Sequence, residues 1–430
     1  MAIRLSQFDN DFDSRFQALL SDKREMAADV DRAAREIIEN VRERGDAALI
    51  EYTEKFDRLA LTPDQLRVSE EAIDAAEMAV PSDQRDALLL ARDRIAAHHR
   101  RQMPADDRYT DDIGVELGTR WTAVESAGLY TPGGTAAYPS SVLMNAIPAK
   151  VAGVERIVMV VPTPPGVTSP LVLFAARIAG VDEIYRVGGA QAIAALAYGT
   201  ETIKPVDKIV GPGRDYVAAA KRLVFGTVGI DTIAGPSEVL IVADADNDPD
   251  WLAADLLAQA EHDASAQSIL ITDSAELAER VAAAVDRQLS VLPREQIAGA
   301  SWRDHGAIIT VTSLAAAMEL ANRVAPEHLE LAVDDPEALL LRVRNAGAVF
   351  LGHHTPEAIG DYVGGTNHVL PTARSARFSS GLSVRDFLKY SSVMKLGADQ
   401  LRLLGDAAVT FAKAEGLDAH ARSVSIRLNR

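Results

Sequence analysis

Cysteine is absent from this 430-residue chain. That excludes disulfides, a cysteine zinc site, an iron–sulfur cluster and a thiolate nucleophile. Any aldehyde chemistry must proceed without a thiohemiacetal. A membrane-length apolar run is also lacking. The uncharged stretch 157–176 comes nearest, but Pro162, Pro164, Pro165, Gly166 and Pro170 interrupt it. The remaining pieces, 157–161 and 171–176, fall far short of the roughly 20 residues a span needs. The stretch reads as strand, loop and helix. The opening MAIRLSQFDNDFDSRF has neither an apolar core nor a cleavage site, so no signal peptide is expected. Positive charge is in deficit, with 44 Lys+Arg against 62 Asp+Glu and a net charge of -18. Such a surface argues against nucleic acid or an anionic membrane as the main partner. It leaves room for an anionic cofactor held by backbone N–H groups. No internal repeat, low-complexity segment or GxGxxG motif is visible.

What is present is ordinary globular material: 48% hydrophobic and 25% charged residues. At roughly 100–200 residues per domain, the length suits two or three domains. Residues 14–56 show a helical repeat of Leu19, Leu20, Met26, Val30, Ala33, Ile37, Ile38 and Val41, closed by Gly45. A polar helix over 84–103 carries Arg92, Arg94, His98, His99, Arg100 and Arg101, which read as a solvated face. From about 120, short β-branched runs alternate with Ala-rich helical patterns. Strands are predicted at 157–161, 183–187, 208–210, 239–242, 268–272, 307–311 and 348–351. Helices are predicted at 140–153, 168–180, 190–199, 214–225, 249–262, 275–290, 313–324 and 335–345. This alternation predicts an α/β fold, its parallel sheet covered on both faces. The last 50 residues read as mostly helical.

Glycine-rich turns cluster at the predicted strand ends: Gly128-Leu129-Tyr130-Thr131-Pro132-Gly133-Gly134, Gly188-Gly189, Gly211-Pro212-Gly213-Arg214 and Gly235-Pro236-Ser237. Singly, each is a tight turn. Three of them within 187–237 favour a nucleotide or substrate cleft at the carboxyl ends of parallel strands. Gln259 and His262 end a predicted helix at spacing i, i+3 and share a face. Their carbonyl oxygen and ring nitrogen suit Zn²⁺, although a helix C-cap with a surface histidine has the same pattern. Glu327 and His328 follow Pro326 at a helix-to-strand junction, where a general base and a water activator can sit. An ordinary polar loop reads equally well there. Asp361 is a candidate metal carboxylate. His353, His354 and His368 read as ligands or as polar loop residues, and Glu415 and His420 as functional groups or terminal caps.

Together these segments resemble the histidinol dehydrogenase family. The resemblance runs from about residue 20 to the C-terminus. It is most specific in GLYTPGGTAAYPSSVLMNAIPAKVAGV (128–154), VGGAQAIAALAYGT (187–200), IAGPSEVLIVAD (233–244), LLAQAEHD (256–263), APEHLEL (325–331), GDYVGGTNHVLPT (360–372) and FSSGLSV (378–384). It implies two incomplete Rossmann-like domains, one inserted in the other, with small N- and C-terminal helical extensions. The expected division is an extension over 1–25 and a first α/β domain over 26–129 plus 239–380, bearing the metal and acid–base residues. A second α/β domain on the NAD side is expected over 130–238, with a C-terminal segment over 381–430 that reaches a partner subunit. The family resemblance further implies a cytoplasmic homodimer with shared active sites. Its reaction is oxidation of L-histidinol to L-histidine by two NAD through bound L-histidinaldehyde, with one Zn²⁺ per subunit. The implied zinc ligands are Gln259, His262, Asp361 and His420, and the implied acid–base pair is Glu327 and His328. Implied substrate contacts are Ser237, Gln259, His262, His328, Asp361, Glu415 and His420. Implied NAD contacts are Tyr130, Gln191 and Arg214. Arg214 departs from the asparagine usual in the family after GPG.

The chemistry agrees with this implication. Two hydride removals need a base for the alcohol proton, and the unperturbed imidazole of His328, with a pKa near 6.5, suits that task. The second removal needs a hydrated aldehyde. Without cysteine, Glu327 is left to activate the water. Two other readings stand beside this one. One is a paralogous zinc- and NAD-dependent dehydrogenase of another small alcohol. The other is a non-catalytic metal- or ligand-binding α/β protein. Ser237, Glu415 and His420 favour histidinol over the first. The joint presence of metal ligands, Glu327-His328 and cofactor-side loops opposes the second.

Overall fold

The computed structural model describes residues 2–21, 28–133, 138–164, 169–233 and 235–430. Met26 of the first helical repeat, Gly134 of the first glycine turn, Pro165 and Gly166 lie outside the described residues, as does the expected boundary at 25/26. In chain order the strands are β1 (Ile3–Ser6), β2 (Asp107–Thr110), β3 (Glu116–Ala123), β4 (Ser126–Tyr130), β5 (Arg156–Val160), β6 (Glu183–Tyr185) and β7 (Lys208–Val210). They continue with β8 (Gly229–Ile230), β9 (Glu238–Ala243), β10 (Gln267–Thr272), β11 (Ala307–Thr310), β12 (His328–Ala332), β13 (Ala348–Leu351) and β14 (Leu388–Lys395).

Two parallel sheets organise the larger contact unit, residues 1–102 and 125–387. One has five strands in the order β6-β5-β4-β7-β8, and the other six in the order β1-β11-β10-β9-β12-β13. In the first sheet, and in the second apart from its edge strand β1, chain order across the sheet runs third, second, first, fourth, fifth. That is the order of a Rossmann-type half, with its crevice between the first and fourth strands. Every residue of β9 and β10 is buried, as strands covered on both faces require. Helices such as Pro139–Ala152, Gly189–Tyr198 and Pro249–Ala260 form those covers. No helix among the described residues is long and apolar enough to cross a membrane.

The smaller unit comprises 103–124 and 388–430. Its antiparallel sheet β14-β3-β2 pairs Leu388 with Ala123 and Lys395 with Glu116. The helices Ala398–Ala414 and Asp418–Ser425 pack on each other within it.

Contacts divide the chain differently from the sequence expectation. The helices Ala28–Arg44 and Asp46–Asp57 pack against Gly189–Tyr198 of the five-stranded half, not against the 239–380 region. Strand β1 is the edge of the six-stranded sheet, so residues 3–6 are not a separate extension. The tail is mostly helical, as expected, and adds one strand, β14, whose partner β3 is 265 or more positions away in sequence. The predicted helix 335–345 shortens to Pro336–Leu340. Asn322 Oδ1 accepts the N–H groups of Arg344 (2.7 Å) and Asn345 (3.2 Å), which draws the chain out of helical geometry.

Candidate active site

The acid–base and metal candidates lie along the amino edge of the six-stranded sheet. Ser313 caps the helix Leu314–Val324 by accepting the Ala316 N–H at 3.2 Å. Ala325 ends it in the left-handed region at φ 52° and ψ 61°, at a strain of about 1 kcal/mol. Pro326 blocks another turn, so the chain enters β12 with Glu327 and His328 at its start. The helix Pro249–Ala260 begins on Asp248, whose side chain accepts the Asp250 N–H at 2.8 Å. It runs back from the carboxyl end of β9 toward the amino end of β10. Gln259 in its last turn and His262 just beyond it therefore reach the same edge. Ser237 is there too, immediately before β9, its carbonyl accepting the Gln267 N–H at 2.9 Å.

The His328 ring is buried, and its Nδ1 lies 3.0 Å from the Glu238 carbonyl oxygen. A carbonyl can only accept, so Nδ1 carries the proton and Nε2 keeps a lone pair. Nε2 is buried with no hydrogen-bond partner, 3.8 Å from Asp361 Oδ1. Burial pulls the His328 pKa down to about 4; Asp361 and the Glu238 carbonyl oppose this, while His368 and His262 add to it. The ring is thus a neutral base. Glu327 Oε2 accepts the Glu238 N–H at 2.9 Å and lies 3.8 Å from His328 Nδ1.

Asp361 belongs to the short helix Glu357–Tyr362. His368 folds back on it, with Nδ1 2.9 Å from the Asp361 carbonyl oxygen. Gln259 is fully buried; with its amide oriented to satisfy both ends, it donates to Glu357 Oε1 at 2.5 Å and accepts from Glu238 N–H at 2.9 Å. Its amide oxygen retains a second lone pair. Glu357 Oε1 lies 3.6 Å from His328 Nδ1. One ligand atom each from His328, Glu357 and Asp361 falls within 4.8 Å of the others. Behind them, Glu330 Oε1 accepts the Glu357 N–H at 2.7 Å. Burial, then Asp255, pushes Glu330 up to about 8, and burial pushes Asp255 up to about 6. Glu357 is raised well above the usual range, by burial and then by Asp361, Glu330, Glu327 and Asp255. Among the described residues, no lysine or arginine forms an ion pair with Glu330, Glu357, Asp361 or Asp255. A buried acidic pocket with an unengaged imidazole nitrogen is the donor chemistry of a divalent cation site. His328, Glu357 and Asp361 are the side chains brought together there; Gln259 reaches the pocket through Glu357, and His262 acts on His328 and His368 electrostatically.

The other candidates line the carboxyl edge of the five-stranded sheet. Tyr130 ends β4, and its hydroxyl accepts the Gly189 N–H at 3.2 Å. Burial raises Tyr130 to about 12, with Gly189 opposing and Asp57 adding. Gln191 is buried, and its Oε1 has no hydrogen-bond partner; the Oγ1 atoms of Thr131 and Thr163 are likewise buried and unengaged. Glycines let the backbone pack closely here: a Cβ on Gly188 would lie 2.5 Å from Pro162 Cβ, and one on Gly211 would lie 2.2 Å from the Tyr130 carbonyl oxygen. Orphaned polar atoms beside glycine turns at the carboxyl ends of strands fit a dinucleotide. Arg214 caps the helix Asp215–Val224, is 91% exposed, and reaches Asp263 Oδ2 at 3.5 Å.

Not every candidate is in these groups. Glu415 caps the helix Ala398–Ala414, and His420 is exposed on Asp418–Ser425; both belong to the smaller unit. His353 stands at the opposite, carboxyl edge of the six-stranded sheet, with Nδ1 2.9 Å from Asn247 Oδ1 and Nε2 3.3 Å from Asp334 Oδ1. His354 packs on the Trp251 ring at 5.3 Å. The 92–101 cluster is not wholly solvated. His99 is buried, with Nδ1 2.7 Å from Gln102 Oε1 and Nε2 3.2 Å from Asn367 Nδ2. Glu238, Asp255, Glu330 and Glu357 escaped sequence reasoning. The available signal was an acid placed two residues after His328 inside an apolar strand.

The family model for histidinol dehydrogenase matches residues 20–428. The chain is 67% identical over 429 residues to the histidinol dehydrogenase of Brucella suis biovar 1 (strain 1330), covering 100% of both. It is 68% identical to that of Agrobacterium fabrum (strain C58 / ATCC 33970), covering 100% of this chain and 99% of the relative. The crystal structure of histidinol dehydrogenase from Elizabethkingia anophelis superposes with a TM-score of 0.95 at 37% identity, covering 100% of this chain and 98% of that one.

Proposed function

The chain belongs to the histidinol dehydrogenase family, and from that premise we propose how its residues divide the work. It is an oxidoreductase of histidine biosynthesis that acts on histidinol. We assign the amino edge of the six-stranded sheet to substrate, metal and proton handling, and the carboxyl edge of the five-stranded sheet to NAD.

Gln259, His262 and Asp361 would hold a Zn²⁺ ion, with His420 of the partner subunit as fourth ligand. When bound, the ion supplies an anchor for the substrate's imidazole and amine. NAD, when bound, accepts the hydride. The chain's own groups handle the protons. The neutral His328 Nε2 takes the hydroxyl proton of L-histidinol as the first hydride leaves its carbon, giving L-histidinaldehyde. Glu327 takes a proton from water as its oxygen adds to the aldehyde carbon, while His328 returns its proton to the aldehyde oxygen, which gives the hydrate and restores the neutral imidazole. The second hydride leaves that hydrate while His328 again removes the hydroxyl proton, and L-histidine results. Four electrons leave as two hydrides. Ser237 and Glu415 of the partner subunit would contact the substrate, the glutamate through its ammonium group. Tyr130, Gln191 and Arg214 would contact NAD. Exposed apolar side chains of the smaller unit, including Leu403, Leu404, Phe411 and Ile426, support burial against a second copy. Cytoplasmic residence follows from the same reading.

The observation that carries this assignment is the buried, tautomer-fixed His328 with an unengaged Nε2 facing Asp361. The test is NADH formed per L-histidinol consumed, with and without chelator. Two equivalents, lost on metal removal, are expected. One equivalent, or turnover indifferent to chelator, refutes the assignment.

A further inference from the structure

The five-stranded half lacks a part that its strand order calls for. In a sheet of this order a carboxylate following the second strand grips a ribose hydroxyl of the dinucleotide. The second strand here is β5, and it runs into Val161-Pro162-Thr163-Pro164, with no Asp or Glu anywhere from 161 to 170. An acid arrives at the same edge from another element. The helix Asp46–Asp57 packs along Gly189–Tyr198. Its first residue is tied to the far end of that helix. Asp46 N–H donates to Glu201 Oε2 at 2.7 Å, and the Asp46 carboxylate accepts from Thr202 Oγ1. Twelve residues at 1.5 Å each then carry Asp57 back to the end where Gly189 begins its helix.

Asp57 acts there electrostatically on Tyr130, whose hydroxyl holds the Gly189 N–H. Its Oδ2 is buried without a hydrogen-bond partner, and burial alone raises its pKa. Gln191, whose Oε1 lies against Gly189 in the first turn of the same helix, is 1% exposed, and that oxygen too has no hydrogen-bond partner. Both orphaned atoms are acceptors. A ligand that satisfies them must bring donors, and a ribose cis-diol brings two O–H groups close together. A 2′-phosphate would bring charge of the same sign.

We propose that Asp57, acting with Gln191, is the ribose-binding carboxylate of the dinucleotide site and sets its preference for NAD over NADP. This rests on assigning the five-stranded half to NAD. The test is direct binding of NADH and NADPH to the holoenzyme, followed by nucleotide fluorescence without histidinol, in wild type, Asp57→Asn and Asp57→Ala. Hydrogen bonds to a charged group set the scale, so both variants should bind NADH about tenfold or more weakly and narrow the NADH-to-NADPH affinity ratio. Melting temperature should not fall in Asp57→Asn, which removes a half-buried charge whose Oδ2 has no hydrogen-bond partner. Wild-type NADH affinity with an unchanged ratio overturns the proposal. So does a melting temperature lowered in both variants with the ratio unmoved, which is the signature of a structural role. If wild type itself binds neither nucleotide, the assignment of the whole half fails and takes Asp57 with it.

Discussion

The buried Lys221–Asp231 pair offers the sharpest test of how the proposed nucleotide edge is held. Lys221 and Asp231 side chains are 2% and 4% exposed and form a direct ion pair. Lys221 Nζ also donates to the Gly211 carbonyl at 3.0 Å, while Asp231 Oδ2 accepts the Gly211 N–H at 2.7 Å. Both polar groups of one glycine are therefore gripped by one ion pair. Gly211 sits at φ 112°, a conformation that glycine tolerates and other residues do not. Lys221→Met leaves the Asp231 charge buried and uncompensated, which costs about 3–5 kcal/mol. In Lys221→Met/Asp231→Asn no charge is stranded, and the amide can still accept the Gly211 N–H. The double variant should therefore be more stable than the single one by at least about 1 kcal/mol. Urea unfolding followed by circular dichroism measures both values, and NADH titration reads the loop. Because the loop spans 211–214, NADH affinity should fall in the single variant and recover in part in the double. A single variant within about 1 kcal/mol of wild type, or a double variant no better than the single, refutes the reasoning.

The acidic pocket predicts an unusual pH profile for the metal-free protein. A carboxyl raised to about 8 contributes stability that is complete below its unfolded pKa and fades as pH rises toward 8. A histidine lowered to about 4 acts in the opposite sense, removing stability as pH falls from about 6.5 toward 4. Between about pH 6.5 and 8 the carboxyls act alone, and Glu330 by itself should cost the chelated protein about 2 kcal/mol across that window, a share that Glu330→Gln should remove; a flat wild-type profile counts against the pocket. His328→Asn should slow both hydride steps by roughly 100-fold or more, whereas Glu327→Gln should slow mainly the second; rapid-mixing traces of NADH separate them, and loss of only the first equivalent in Glu327→Gln reverses the roles. Glu415→Gln should raise KM for L-histidinol more than it lowers kcat, and an unchanged KM removes Glu415 from the substrate contacts.

Legibility in the sequence followed the range of the interactions involved. The seven strands predicted from β-branched runs all appear, within a residue or two, because continuous apolar segments such as Ser268–Thr272 within β10 have one stable burial. Strands β2, β3 and β14 were invisible: their residues are exposed or half-buried, and pairing between Leu388 and Ala123 has no local signature. Gly45 was read as a helix end, and it is one, but a second helix starts immediately after it at Asp46. Glu327 and His328 were legible because Pro326 and the alternation of Leu329 and Leu331 fix a junction. Their supporting carboxylates were not. Glu330 and Glu357 become neighbours only when the Glu357 N–H meets Glu330 Oε1 across 27 positions. His99 was misjudged for the same reason, since its contact with Asn367 spans 268 positions.

On the proposed assignment, the general rule that parallel sheets bind ligands at carboxyl ends would describe only half of this molecule. The five-stranded sheet would obey it, since a dinucleotide needs backbone N–H groups and small residues, and strand-to-helix turns supply both. The six-stranded sheet would use its other edge. Proton transfer needs side chains fixed in a dry setting, and the first residues of buried strands supply that: His328 Nδ1 takes its tautomer from the carbonyl of Glu238, the residue that opens β9. The two edges meet through sequence neighbours. Arg214, on the cofactor-side turn, pairs with Asp263, the residue after His262. An exposed pair of this kind contributes less than about 1 kcal/mol, so its meaning is geometric. It joins the turn 211–214 to the turn that follows the helix Pro249–Ala260. An asparagine at 214 is uncharged and could not make that ion pair, so Arg214→Asn should break the link between the two turns.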